Sequence, residues 1–186
     1  MEERFDLLQR TIVLKLAREA IRNRLESAKD IFSPHDEFLK VPGAAFVTIR
    51  IGGELRGCIG TTEATRPLGE TVISCAISAA FHDPRFPPLR LEEYRQSDLE
   101  ISILSLFREI HSVEQIEVGK HGLVLSMGYH RGLLLPQVAA EHGWDRDTFL
   151  QYTCRKAGLS ANAWKNPEAR IEIFTAEVFG ETDILE

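Results

Sequence analysis

Two adjacent glycines, Gly52 and Gly53, separate an alternating apolar run, Ala45–Ile51, from a second strand-like stretch, Leu55-Arg-Gly-Cys-Ile-Gly60. A tight two-residue turn that matches the twist of its flanking strands needs positive φ at both central positions, which glycine adopts freely. The pattern predicts a β-hairpin, so any fold open to this chain contains antiparallel sheet at this point. Side chains alternate along a strand, which places Arg56 and Cys58 on one face and Leu55 and Ile59 on the other. Thiol and guanidinium then stand roughly 7 Å apart at their Cα atoms. Gly57 and Gly60 flank the cysteine and allow another backbone, or a small ligand, to approach closely. Both a cramped strand crossing and a chemical site fit these letters.

Around this hairpin the periodicity alternates between helix and strand. From Phe5 to Leu25 the residues Leu8, Ile12, Leu16 and Ala20 recur at helical spacing, with Val13, Ala17 and Ile21 widening the stripe. Ser33-Pro34 and Pro42-Gly43 punctuate a loop that contains His35. Arg66-Pro67 opens a helix whose stripe, Leu68, Val72, Cys75, Ala76 and Ala79, is built mostly of small residues suited to close packing. Cys75 on that stripe reads as packing. The helix stops at Phe81-His-Asp-Pro-Arg-Phe-Pro-Pro88, where the prolines stiffen the connection. A stiff turn suits Asp83 and Arg85 either as a structural staple or as groups held in fixed directions. After a short polar helix near Leu91–Arg95, Leu99–Phe107 alternates again, with Glu100 and Ser102 on the face opposite Leu99, Ile101 and Ile103. Strands at Leu123–Met127 and Leu133–Leu135, a helix from Pro136-Gln137 to about Gly143-Trp144, a helix capped by Asp145 or Asp147, and a last strand at Ile171–Phe179 complete the chain. Hairpins interspersed with helices indicate an α+β fold, a mainly antiparallel sheet with flanking helices.

Several classes of function are disfavoured by composition. A net charge of −6 argues against a broad nucleic-acid footprint. No apolar run is long enough for a membrane span, and the start Met1-Glu-Glu-Arg lacks a signal-peptide pattern. Three scattered cysteines make no disulfide framework, which points to a reducing cytoplasm. The six histidines and three cysteines include no close ligand pair, so no metal site is expected.

The chain resembles the AMMECR family, whose prokaryotic members are called AmmeMemoRadiSam system protein A. The resemblance rests on Leu55–Gly60, Ala79–Leu89, Glu100–Leu104, Gly119-Lys-His-Gly-Leu123, Leu134-Leu-Pro-Gln-Val138 and Lys156-Ala-Gly-Leu159, in that order. It implies one AMMECR-type domain over residues 1–186, with a larger and a smaller lobe and a cleft near Arg56 and Cys58. It marks Arg56, Gly57, Cys58, Gly60, Asp83, Arg85, Glu100, Ser102, Pro136 and Gln137. It fixes no reaction and no cofactor, while the family name implies functional association with Memo-like and radical-SAM proteins.

Two functions follow from these positions. In the first, Cys58 is the nucleophile of a thiol-dependent enzyme acting on a small anionic or acyl substrate, with Asp83 and Gln137 assisting. A thiol titrates near 8.5, and a cation ~7 Å away stabilises its thiolate by roughly 0.6 kcal/mol in water and about 2.4 kcal/mol at an effective dielectric of 20. Arg56 would supply that cation and Gln137 an oxyanion donor. In the second, the domain is a non-catalytic binder or adaptor. Arg56, Gly57, Gly60, Arg85, Glu100 and Ser102 then line a cleft for a small anion, a peptide or a partner's loop.

Overall fold

The computed structural model describes residues 5–27 and 36–184. The chain divides into two compact units, residues 1–104 with 177–186, and residues 105–176. The Ser33-Pro34 turn and His35 lie outside the described residues.

In the larger unit, α1 (Leu7–Leu25) begins at Asp6, whose carboxylate accepts from the Gln9 N–H at 2.8 Å. The Gln9 side chain returns the bond to the Asp6 N–H, closing a capping box. The helix buries Val13, Leu14, Leu16, Ala17, Ala20 and Ile21. Leu8, expected on this stripe, is 68% exposed. It is about two and a half turns from Ala17, on the opposite side of the helix. A single turn, α2 (Glu37–Lys40), precedes β1 (Ala44–Ile51) and β2 (Glu54–Gly60). Gly52 and Gly53 join the strands with φ of 58° and 84°, the positive pair that the hairpin required.

Then come α3 (Leu68–Phe81), α4 (Leu91–Gln96) and β3 (Ser97–Leu104). β3 is shorter than its alternating pattern suggested, ending at Leu104. β1 lies between β2 and β3, antiparallel to both. Its residues Ala45, Val47 and Ile49 join Leu99, Ile101 and Ile103 in a core with the buried stripes of α1 and α3. The small residues of α3 matter here, because a Cβ on Gly57 would sit 2.2 Å from the carbonyl oxygen of Ala79.

The smaller unit contains β4 (Arg108–Ile110), β5 (His121–Met127), β6 (His130–Leu134), α5 (Pro136–Glu141), α6 (Arg146–Lys156) and residues 170–176 of β7 (Arg170–Gly180). Its antiparallel strands run in the order β4, β7, β5, β6. The short β4 has no counterpart in the sequence reading. Asp145 caps α6 by accepting from the Thr148 N–H at 2.8 Å. Leu123, Leu125, Ile171 and Ile173 pack with Phe149, Leu150 and Cys154 in this unit's own core. Beyond β7, α7 (Glu181–Ile184) belongs to the larger unit, where Glu181 accepts from Arg18 Nε at 2.7 Å and from the Leu99 N–H at 2.8 Å. The fold is α+β, as the mixed periodicities indicated. Among the described residues no helix is long and apolar enough to cross a membrane.

Candidate functional site

The hairpin is not regular. Ile51 faces Glu54 and Arg50 faces Leu55, but Ile49 faces Gly57 and Thr48 faces Cys58, so β2 carries one extra residue at Arg56. This bulge breaks the strict alternation expected along Leu55–Ile59, and Leu55 lies across from Arg50 on the side of Thr48. The physical reason is burial. In an unbroken hairpin Arg56 would lie opposite Ile49, which is fully buried against the helices. The bulge puts Gly57 there instead, where α3 leaves no room for a side chain, and releases Arg56.

Arg56 turns to its own carboxylate. Its Nε donates to Glu93 Oε1 at 2.8 Å and its Nη2 to Glu93 Oε2 at 3.1 Å, a bidentate pair, with a further bond to the Pro87 carbonyl at 2.8 Å. The Arg56 guanidinium holds the Glu93 carboxyl below its ordinary value. The remaining nitrogen, Nη1, is sealed and has no partner among the described residues. The Phe86 ring is in cation–π range of two guanidiniums, 5.7 Å from that of Arg56 and 5.5 Å from that of Arg85.

Beyond the bulge, Cys58 is held through its backbone. Its N–H donates to Asp83 Oδ2 at 2.9 Å, and its carbonyl accepts from Arg85 Nη2 at 3.1 Å. On its outer edge β2 has no neighbouring strand within this unit, so these groups would otherwise be open. Asp83 is 4% exposed and its acceptor positions are fully engaged. Oδ1 takes the Arg85 N–H at 3.1 Å and Nε at 2.9 Å, and Oδ2 takes Arg85 Nη2 at 2.7 Å besides Cys58. The Arg85 guanidinium and these donors hold Asp83 well below the usual carboxylate range. The prolines of the 83–88 turn thus keep an ion pair seated on the edge of one cysteine.

The side chain of Cys58 lies on the sheet face away from α3. Across the strands its row is Cys58, Thr48, Glu100; the neighbouring row is Gly60, Phe46, Ser102. The Thr48 hydroxyl donates to Cys58 Sγ at 3.3 Å. Ser102 is 3% exposed, yet its hydroxyl has no hydrogen bond, and Glu100 has neither a hydrogen bond nor an ion pair, among the described residues. Gly60 is glycine because the Phe46 ring would lie 2.3 Å from its Cβ.

The larger unit therefore brings together Arg56, Gly57, Cys58, Gly60, Asp83, Arg85, Glu100 and Ser102. Pro136 and Gln137 belong to the smaller unit, at the start of α5, and Gln137 has no hydrogen bond among the described residues. Of the histidines near the motifs, His82 is exposed at the end of α3, His142 packs edge-on against Trp144, and His121 accepts the Glu117 N–H through Nδ1. Among the described residues no three metal-ligating side chains cluster. The sequence reading missed Thr48, Glu93 and Phe86. Thr48 had a visible signal, as the one hydroxyl in the strand facing Cys58. The other two had none.

These features define an α+β protein with a clamped, partly buried cysteine on a sheet edge. The AMMECR1 family model matches residues 14–179, and the chain belongs to that family. A Methanopyrus kandleri protein is 41% identical over 193 residues, covering 98% of this chain and 93% of its own length. A Methanothermobacter thermautotrophicus protein is 44% identical over 180 residues, covering 92% and 93% respectively. The crystal structure of an uncharacterised Pyrococcus horikoshii protein superposes with a TM-score of 0.82 at 40% identity, covering 91% of this chain and 90% of that one.

Proposed function

We propose that this protein is a thiol-dependent acyl-transfer or hydrolytic domain in which Cys58 is the nucleophile. One observation carries the reading: both outward backbone groups of Cys58 are bound by a single ion pair with a buried carboxylate, while Cys58, unlike Cys75 and Cys154, is only partly buried. Edge protection alone needs no buried charge, since a lysine or a proline on the strand suffices. Fixing the backbone of a nucleophile serves reactivity, because attack depends on near-contact geometry. Asp83 acts in this reading as a positioning residue, since its engaged oxygens leave no site for a proton in transit. Thr48 is the polar group in contact with the sulfur. Association with Memo-like and radical-SAM proteins stands within the same proposal.

p-Nitrophenyl acetate tests it. The Cys58 thiolate attacks the ester carbonyl, the acyl C–O bond breaks, p-nitrophenolate leaves and a thioester forms on sulfur. We expect one equivalent of p-nitrophenolate in a burst at pH 7.5, with the acetyl group mapped by mass spectrometry to Cys58 and absent in Cys58→Ser. Cys75 and Cys154 serve as internal controls, since burial pushes both thiols up. Acetylation spread over lysines, or equal on all three cysteines, would overturn the nucleophile.

A further inference from the structure

The charges around Cys58 are unevenly answered. Each motif arginine is matched by a carboxylate in direct contact, Arg56 by Glu93 and Arg85 by Asp83. Neither pair leaves a net positive charge to recruit an anion. On the sulfur's own face the balance has the opposite sign. Glu100, one residue beyond Thr48 in the Cys58 row, makes no ion pair or hydrogen bond among the described residues, and the next cation on its face, Arg50, lies opposite Asp98.

A second, independent feature lies beside it. Ser102 follows Glu100 by two residues on the same face of β3, and its nearly buried hydroxyl has no partner. A hydroxyl without a partner in the protein keeps its donor and acceptor positions open to a ligand, and this one lies beside a carboxylate without an ion pair. At the end of the next row, Gly60 leaves its N–H and C=O on the outer edge of β2. The alternation that directs the Cys58 N–H outward to Asp83 and the Thr61 N–H inward to the Ala45 carbonyl requires it. Those two groups also have no partner among the described residues. A carboxylate, a hydroxyl and a free strand edge, arranged around a thiol, suit a substrate that donates hydrogen bonds and bears positive charge.

We propose that Cys58 acts on an amine- or guanidine-bearing substrate whose cationic group is held by Glu100 and Ser102. The proposal rests on the nucleophile reading and supplies its substrate class. Glu100 binds charge, Ser102 accepts one of the substrate's N–H bonds, and the Gly60 edge is left for an amide of the substrate. The paired arginines hold the cysteine strand and recognise nothing.

Charged and neutral methanethiosulfonates provide the test. In each, the Cys58 thiolate attacks the sulfenyl sulfur, the S–S bond of the reagent breaks, methanesulfinate leaves and a mixed disulfide forms. The probes are the trimethylammonium-ethyl, sulfonato-ethyl and uncharged methyl reagents, with rates divided by those for free cysteine. Two strand spacings, ~10 Å, separate Glu100 from Cys58, so Coulomb's law gives about 2-fold per unit of probe charge in bulk water and about 16-fold at an effective dielectric of 20. We therefore expect the cationic reagent to outpace the anionic one by roughly 4-fold or more, and Glu100→Gln to bring the ratio close to that of free cysteine. Ser102→Ala should lower the rate of the 2-aminoethyl reagent, which can donate a hydrogen bond, and leave that of the trimethylammonium reagent unchanged. The uncharged reagent separates the two proposals. If it fails to prefer Cys58 over Cys75 and Cys154, the nucleophile reading falls. If it prefers Cys58 but the charge ratio is unaltered by Glu100→Gln, or favours the anion, the substrate class is wrong and the nucleophile stands.

Discussion

Asp83→Asn isolates the clamp, because it preserves volume and removes charge. The buried carboxylate accepts bonds from the Cys58 N–H and from three nitrogens of Arg85. The amide keeps one acceptor oxygen and presents its NH2 group to a donor. Hydrogen bonds to a charged group contribute ~1.5–3 kcal/mol, and breaking a fully buried pair costs ~3–5 kcal/mol. The Arg85 side chain is 52% exposed, so solvent screens its half of the pair and the lower range governs. We expect a loss of about 2 kcal/mol at pH 7. With an m-value of about 2 kcal/mol/M, the urea midpoint falls by about 1 M while the slope is unchanged. The pH dependence gives an independent check. Asp83 titrates below its unfolded value in the folded state. Its contribution is therefore complete above the unfolded carboxylate pKa, ~3.9, and is lost as pH falls through the lower folded value. The gap between wild type and variant should narrow as pH drops below about 4. A loss under ~0.5 kcal/mol, or a gap constant down to pH 3, would refute the assignment of Asp83 as the ionised anchor of Cys58.

His121 is buried and neutral, its pKa lowered chiefly by burial, with Glu117 opposing and Lys120 and Arg108 adding to the effect. Its contribution is present above ~6.5 and lost as pH falls toward the folded value, so His121→Gln should flatten the stability slope between pH 7 and 5, as measured by urea unfolding. Gly57→Ala drives a Cβ into the Ala79 carbonyl oxygen, and a loss of about 3 kcal/mol or failure to accumulate folded protein is expected by circular dichroism. Arg56→Met leaves Glu93 without its bidentate partner and should cost ~1.5–3 kcal/mol, while neutral-pH alkylation of Cys58 by iodoacetamide changes less than about twofold. A large fall in the alkylation rate would show that Arg56 acts on the thiol rather than on the scaffold.

The elements were legible wherever periodicity and a stop signal agreed. Gly52-Gly53 specified its turn because few other residue pairs adopt two positive φ angles in succession, and the run Leu99–Ile103 showed which of its residues face the core. β4 was hidden because its three residues, Arg108–Ile110, are too few to display a period. Leu8 was misplaced because heptad-like matching in a long helix tolerates a residue that drifts around the axis. The bulge left no mark on the sequence. With a two-residue turn, simple counting pairs Thr48 with Gly57 and places Cys58 on the buried face with Val47. The single-residue slip at Arg56 reverses that, and it arises from a tertiary conflict between a guanidinium and the packed helix α3.

The same slip accounts for what the site letters concealed. Arginines beside a cysteine suggest an anion hole and a stabilised thiolate, and the charges alone support that inference. Which charges remain available depends on partners far along the chain. Glu93 lies 37 residues beyond Arg56, on a helix whose composition is that of an ordinary solvated segment. Once Glu93 and Asp83 answer the two guanidiniums, the arginines become struts, and the unanswered charge in the Cys58 row is Glu100. In the proposed function, reactivity at Cys58 then has to come from placement and from the Thr48 hydroxyl rather than from a neighbouring cation. That ordering has a consequence for kinetics. Substitutions in the clamp should alter the rate of thioester formation for every acyl donor alike, whereas Glu100→Gln should slow donors bearing a positive charge, speed those bearing a negative one and leave neutral donors unchanged.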